Sequence, residues 1–353
     1  MTSLPPYRLT ASEAGALMKD GSLSVEAYAT SLLERIKKRD HLVKAWAYLD
    51  PDFVLTQAKA LDSIPAAQRG PLHGIAVGVK DVIITKDMPT AHNSDIYRGL
   101  PPPGVDAAPI ITLRAAGALI FGKTTTTEFA STVDGGPSTN PHDHTRTPGG
   151  SSSGSGAAVG DFQVPIALGT QTGGSTIRPG SFNGIYAFKP TWGSISREGL
   201  AQYSMTCDTL GLYARSVEDL ELLGKVFQLA DDEPVGEKPF EIKGAKIAFA
   251  KTHVWPKAGP GVHAAWGKAK KLLVTQGAVV EEIELPEEFE KITDWHAAVL
   301  AGEGRTSFLG SMSSFSYSPL HPVHLIPFHS PRHEYAKIET ILTKTPHPPQ
   351  IIS

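Results

Sequence analysis

Two periodicities of hydrophobic residues alternate along most of this chain. Apolar side chains at three- and four-residue intervals predict amphipathic helices, which cover residues 24–40, 106–116, 216–227 and 261–276. Short apolar runs predict buried strands, which cover residues 71–84, 118–123, 163–169, 184–189, 245–251 and 278–285. This order of elements predicts an α/β fold with a central mixed β-sheet flanked by helices on both faces.

Polar residues at the predicted helix starts support these assignments. Thr10 and Glu13 have the spacing of a capping box, in which a hydroxyl and a carboxylate each accept a backbone N–H at the start of a helix. Ser216 and Asp219 repeat this spacing. Asp106 is expected to be the N-cap of the helix that follows it.

The hydrophobic pattern and the composition of the chain change after residue 308. From residue 310 onward no clear period persists, and five of the 13 histidines and seven of the 28 prolines fall in this part. The histidines lack the spacing of metal ligands, so we expect no metal site there. The predicted segments are a helical layer at 1–70, a core at 71–230, an α/β extension at 240–308 and an irregular tail at 309–353.

Composition and charge narrow the function classes. The 353 residues are 41% hydrophobic and 20% charged, as in ordinary globular proteins. The net charge of −3 and the absence of a basic stripe argue against a nucleic-acid partner. A single cysteine, Cys207, precludes an intramolecular disulfide, and no apolar stretch is long enough to span a membrane. We expect a cytoplasmic protein with no membrane partner.

Residues 147–160, TPGGSSSGSGAAVG, have the composition of a flexible linker. A linker has indifferent neighbours, but this run leads into the predicted strand at 163–169. A second glycine-rich turn, GTQTGGSTIRPG, follows at 169–180. Two such turns around one strand are typical of backbone that approaches a ligand closely. We therefore interpret the run as part of a site.

Residues 149–158 and 169–179 resemble two consecutive blocks of the amidase signature family. The spacing of 24 residues from Ser151 to Ser175 is the spacing of that family. Further similar blocks follow the family order at 71–81, 121–130, 188–193 and 208–219. The resemblance covers about residues 8–308. It implies that 1–308 is an amidase-signature domain with its catalytic core at 71–230.

The resemblance implies a Ser–Ser–Lys triad in which Lys80 is the base, Ser151 relays the proton and Ser175 is the nucleophile. General chemistry agrees, because a serine hydroxyl needs an adjacent base and a lysine is a base only when neutral. Burial lowers a lysine pKa, and Lys80 ends an apolar run. Asp81 is expected to point to the opposite face of the strand. The family uses no metal or organic cofactor, so none is expected.

The same resemblance implies an oxyanion hole in the turn that carries the nucleophile. Its backbone N–H groups come from Thr172, Gly173, Gly174 and Ser175. Glycine in this turn permits close approach of the backbone to a substrate. Donors placed where negative charge develops are usually the largest single contribution to such catalysis.

Three neighbouring residues are further candidates for substrate binding. Arg178 either holds a substrate carboxylate or forms a structural salt bridge. Gln171 stands where many family members have Asp, and we expect this change to be tolerated. Ser152 is expected to bond the loop or to cap a helix that starts near Ser153. Asn183 replaces a common Cys near the pocket, which suggests a different substrate shape.

These residues predict hydrolysis of a carboxylic amide of a small molecule through an acyl-enzyme on Ser175. Two alternatives stay open: a subunit of a glutamine-dependent amidotransferase, and an inactive or truncated amidase-like protein. Family members usually continue for another hundred residues or more beyond the point where the resemblance fades. We therefore expect part of the C-terminal sheet to be lacking. A homodimer is among the open oligomeric states.

Overall fold

The computed structural model describes residues 4–132, 136–229 and 240–307. The predicted irregular tail at 309–353 lies outside the described residues, so its prediction stays open. The histidines of that tail lie outside them as well. No helix in the described ranges combines the length and the apolar character that a bilayer crossing requires.

Three helices open the chain and form the first layer. They are α1 (Ala11–Lys19), α2 (Val25–Val43) and α3 (Pro51–Asp62). The predicted capping box is present at α1, where the Thr10 side chain accepts from the Glu13 N–H and the Glu13 carboxylate accepts from the Thr10 N–H. The Ser24 hydroxyl caps α2 by accepting from the Ala27 N–H. These helices bury Tyr28, among others, in the core.

The central sheet has six strands in the order β1-β3-β2-β4-β6-β5. The strands are β1 (Trp46–Tyr48), β2 (Ala76–Lys80), β3 (Leu119–Thr124), β4 (Ile166–Gln171), β5 (Tyr186–Phe188) and β6 (Thr209–Ala214). Strand β2 pairs in parallel with both β3 and β4, whereas the pairs β1–β3, β4–β6 and β5–β6 are antiparallel. The sheet is therefore mixed, as predicted.

Every residue of β2, β3, β4 and β6 is buried, so both faces of the middle of the sheet are covered. The covering helices include α4 (Ala108–Ala115), α5 (Ser153–Gly160), α6 (Ile177–Asn183) and α7 (Val217–Val226). Beyond them, β7 (Lys246–Lys251) and β8 (Val279–Glu284) form a separate parallel pair joined by α8 (Pro260–Thr275). Helix α9 (Ile292–Ser307) ends the described part.

Residues 153–160 of the Ser/Gly run form helix α5, and all eight of them are buried. Its glycines allow contacts that a side chain would block. A Cβ at Gly154 would lie 2.3 Å from the Ala45 carbonyl oxygen, and one at Gly156 would lie 2.8 Å from the Asn183 amide nitrogen. The small residues that make this run resemble a linker are therefore needed for the close packing of α5.

The predicted cap at Asp106 is wrong. Helix α4 begins two residues later, with Ala107 in the N-cap position and Pro109 in the first turn, where proline is well tolerated. The Asp106 carboxylate instead accepts from the Lys86 N–H at 2.8 Å and lies 3.1 Å from the Arg114 guanidinium. It joins a neighbouring loop to the far end of the same helix.

The second predicted capping box forms only in part. The Ser216 hydroxyl accepts from the Asp219 N–H at the start of α7. The fully buried Asp219 carboxylate turns to α1, where it accepts from the Ala11 N–H at 3.0 Å and from the Ser12 N–H at 2.8 Å. One carboxylate thus satisfies two free donors of a helix more than 200 residues away in the chain.

We predict that Asp219→Ala lowers the free energy of unfolding by about 1–3 kcal/mol, because buried N–H groups of α1 lose their acceptor. The measurement is urea unfolding, read as a lower midpoint at an unchanged slope. Glu221→Ala is the matched control. It lies on the same helix, its side chain is 63% exposed, and its ion pair is with the exposed Lys225. Equal midpoints for the two variants would contradict this role of Asp219.

Candidate active site

The site lies where two neighbouring parallel strands end. Strand β2 ends at Lys80 and β4 ends at Gln171, and the two strands pair in register from Val77 with Ile166. The loop before α5 brings Ser151 to the same edge. Parallel strands direct their carboxyl ends to one edge of the sheet, so residues distant in sequence meet there.

The Lys80 ammonium nitrogen is completely buried between two hydroxyls. Its Nζ lies 2.8 Å from the Ser151 Oγ and 2.7 Å from the Thr170 Oγ1. Burial lowers the pKa of Lys80 to about 7, and the negative charge of Asp208 opposes part of this shift. A substantial fraction of the amine is therefore neutral near pH 7, as a general base requires.

Asp81 does not neutralise this lysine. Its carboxylate lies 3.3 Å from the Nζ of Lys123, and both of these side chains are buried. Lys123 comes from β3, the strand on the other side of β2 from β4. The alternation of side chains along the chain therefore gives Lys80 and Asp81 different partners, as predicted.

Ser175 lies half-buried in the turn between β4 and α6. Its carbonyl oxygen accepts from the Ser152 N–H at 3.3 Å and from the Tyr213 hydroxyl at 3.2 Å. Within the described part of the chain, the Ser175 hydroxyl makes no hydrogen bond of 3.5 Å or less. The structure thus joins the Lys80 amine to the Ser151 hydroxyl. It also places the backbone of Ser175 beside Ser152, the residue that follows Ser151 in the chain.

Three side-chain hydrogen bonds hold the turn itself. The Gln171 amide oxygen accepts from the Thr176 and Ile177 N–H groups at 2.9 and 3.0 Å. The Thr172 hydroxyl donates to the Asp208 carboxylate at 2.5 Å. Between these anchors, Gly173 and Gly174 are exposed. The amide of Gln171 therefore organises the turn, and the exposed glycines present their backbone.

Arg178, Ser152 and Asn183, which the sequence placed near the substrate, form hydrogen bonds to the backbone of the site. The Arg178 Nε donates to the Gly150 carbonyl oxygen at 2.9 Å, which joins α6 to the loop before α5. The Ser152 hydroxyl bonds both the N–H and the carbonyl of Thr170 on β4. The Asn183 amide donates to the Pro148 carbonyl at 2.7 Å. Each of these four hydrogen bonds fixes the loop that carries Ser151.

Three further residues of the site have no counterpart in the sequence predictions. Thr170 contacts Lys80, Asp208 holds the turn, and His296 on α9 contacts the Thr172 carbonyl oxygen at 3.2 Å. Thr170 and Asp208 lie inside the blocks at 169–179 and 208–219 that resemble the family. Their position in these blocks could therefore have marked them as candidate site residues. His296 follows no recognisable pattern, and only the fold brings it to the turn.

Two curated relatives of this chain carry the same description. The chain is 39% identical to a subunit of the glutamyl-tRNA(Gln) amidotransferase of Acidothermus cellulolyticus, over 79% of this chain and 59% of that protein. It is 38% identical to the protein of the same name from Thermobifida fusca, over 81% of this chain and 61% of that protein. The chain thus spans about three-fifths of the length of these curated relatives.

Solved structures show the same architecture. The peptide amidase of Stenotrophomonas maltophilia superposes with a TM-score of 0.75 at 28% identity, over 88% of this chain and 72% of that one. The corresponding glutamyl-tRNA(Gln) amidotransferase subunit of Thermotoga maritima superposes with a TM-score of 0.71 at 26% identity. The superposition covers 97% of this chain and 72% of that one. The predicted amidase-signature architecture is confirmed. The model of the Amidase family matches residues 27–317, and the chain belongs to this family.

Proposed function

We propose that this protein hydrolyses a carboxylic amide through an acyl-enzyme on Ser175. The observation that carries the proposal is the fully buried Lys80 amine, 2.8 Å from the Ser151 hydroxyl at the edge of the sheet that also carries the 172–175 turn. A buried neutral amine bonded to a hydroxyl is a base with a proton relay attached.

In the first half of the reaction, the Ser175 oxygen attacks the amide carbon and its proton passes through Ser151 to the Lys80 amine. The carbonyl oxygen becomes an oxyanion, which the N–H groups of residues 172–175 stabilise. The carbon–nitrogen bond then breaks. The leaving amine takes the proton back through Ser151, and the acyl group stays on Ser175.

In the second half, water attacks the ester carbon of the acyl-enzyme. Lys80 accepts the proton of the water through Ser151, and the Ser175 oxygen leaves with that proton. The products are a carboxylic acid and an amine or ammonia. The side chains that carry these steps need no metal or redox cofactor, because each step moves only protons and an acyl group.

A second candidate function has support from the relatives. They are named as subunits of an amidotransferase, so this chain would release ammonia from glutamine for a protein partner rather than act alone. The chemistry at Ser175 is the same in both candidates, and the partner distinguishes them. A cytoplasmic location and the oligomeric state, with a homodimer among the options, stay predictions.

We predict that a serine-phosphonylating probe adds once to the protein and that Ser175→Ala abolishes the adduct. An activated serine reacts, whereas an ordinary surface serine does not. Intact mass measures the adduct. Ser181→Ala is the matched control, because Ser181 is exposed on α6 just after the same turn. A wild-type protein that folds cooperatively but takes up no probe would favour the inactive alternative.

We predict that the rate of this modification rises with pH and levels off above a midpoint near 7. Only the neutral amine accepts a proton, and the pKa of Lys80 is lowered to about 7, so the active fraction grows as the pH rises through that value. Quenched time courses followed by mass spectrometry across this pH range measure the profile.

Two variants test the assignment of that midpoint. Lys80→Met removes the base, so its rate should be very low at every pH. Asp208→Asn removes the negative charge that raises the pKa of Lys80, so its midpoint should lie at lower pH. Asp143→Asn, in a loop where the side chain is 44% exposed, is the control. A flat profile for the wild type would rule out Lys80 as the base.

A further inference from the structure

Helix α9 places a histidine against the glycine-rich turn. The His296 Nε2 lies 3.2 Å from the Thr172 carbonyl oxygen, and since a carbonyl only accepts, the imidazole donates through this nitrogen. A Cβ built on Gly173 would lie 3.2 Å from the His296 Cε1, whereas one built on Gly174 would have no atom of the described residues within 4 Å. The ring therefore covers one side of the turn at Gly173 and leaves Gly174 open.

The hydrogen bond to the Thr172 carbonyl also fixes the next N–H. The peptide between Thr172 and Gly173 is trans, so its C=O and N–H point in opposite directions. A carbonyl held toward α9 directs the Gly173 N–H away from α9. Because two glycines follow Thr172, rotation of this peptide meets little steric resistance, and an external contact has to select its orientation.

The helix that carries His296 is itself anchored beside the turn. Near its end, the Glu303 carboxylate accepts from the Ser204 hydroxyl and from the Thr206 hydroxyl, the latter at 3.0 Å. The Asp208 carboxylate, which holds the Thr172 side chain, accepts from the Ser204 N–H at 3.0 Å. One short loop thus ties α9 and the turn together.

We infer that His296 is a positioning residue, which holds the Thr172–Gly173 peptide so that the Gly173 N–H donates to the oxyanion. This inference rests on the proposed acyl transfer at Ser175. The imidazole acts through the orientation of this peptide and takes no proton from the nucleophile. The effect appears in the transition state, where the oxyanion forms, rather than in the binding of the neutral amide.

The test compares His296→Leu, His296→Gln and His253→Leu. Glutamine keeps an N–H donor and leucine does not. His253 is exposed and bonds Thr293 of the same helix at 3.0 Å, so its replacement controls for the loss of a histidine contact to α9. The probe reaction gives the limiting rate of phosphonylation and the probe concentration at half that rate, since the phosphonyl oxygen also develops negative charge.

We expect His296→Leu to lower the limiting rate about 10- to 100-fold with a nearly unchanged half-saturating concentration. This is less than the roughly 100- to 1,000-fold cost of losing an oxyanion donor outright, because the Gly173 N–H stays present but is no longer held. His296→Gln should recover most of the rate, and His253→Leu should match the wild type. An equal loss in the leucine and glutamine variants would overturn the inference, as would no loss in either.

A second readout separates this inference from the proposed function. In protein labelled with ¹⁵N-glycine, the Gly173 amide signal, assigned with Gly173→Ala, reports the peptide directly. We expect His296→Leu to lower the heteronuclear ¹H–¹⁵N NOE of this signal, because the peptide is no longer held, and His296→Gln to leave the NOE near its wild-type value. If the wild type takes up no probe, the proposed function fails. The Gly173 signal then decides by itself whether His296 holds the Thr172–Gly173 peptide. An unchanged NOE in His296→Leu overturns the inference.

Discussion

The site depends on the burial of one amine. Water would keep the Lys80 ammonium charged, and a charged lysine is not a base. The protein removes that water by ending a fully buried strand at Lys80 and by placing neutral hydroxyls from Ser151 and Thr170 against the amine. Burial of an unpaired amine has a cost in stability, which the neutral form reduces. The low pKa is therefore a property of the fold around β2.

Two buried lysines lie at neighbouring strand ends but have different environments. Lys123 is paired with the Asp81 carboxylate at 3.3 Å, whereas Lys80 bonds two hydroxyls and feels the charge of Asp208 from further away. The alternation of side chains along β2 separates these environments although Lys80 and Asp81 are adjacent in the chain. A shift of one residue at this strand end would place the Lys80 amine beside the Lys123 ammonium and take it away from the Ser151 and Thr170 hydroxyls.

Close packing of small residues brings the remaining groups to the amine. The glycines of α5 lie where a methyl group would overlap the Ala45 carbonyl or the Asn183 amide. Similarly, a Cβ at Gly169 would lie 2.7 Å from the Ser152 Oγ, the hydroxyl that fixes the loop against β4. The loop that carries Ser151 therefore approaches the sheet more closely than larger residues would allow. This approach sets the distance from Ser151 to Lys80.

The sequence by itself determined part of the elements and indicated most of the residues proposed for the site. Short apolar runs predicted β2, β3, β4 and β5 but not β1 or β6, and the resemblance to the amidase signature blocks proposed Lys80, Ser151 and Ser175, because these features are local. Only the tertiary structure decided the long-range partners of the polar groups. Asp219 caps α1 instead of closing its own capping box, Asp106 binds Lys86 and Arg114 instead of capping α4, and His296 reaches the turn from a separate helix. Such contacts join residues that are distant in the chain, and their geometry exists only once the sheet has assembled.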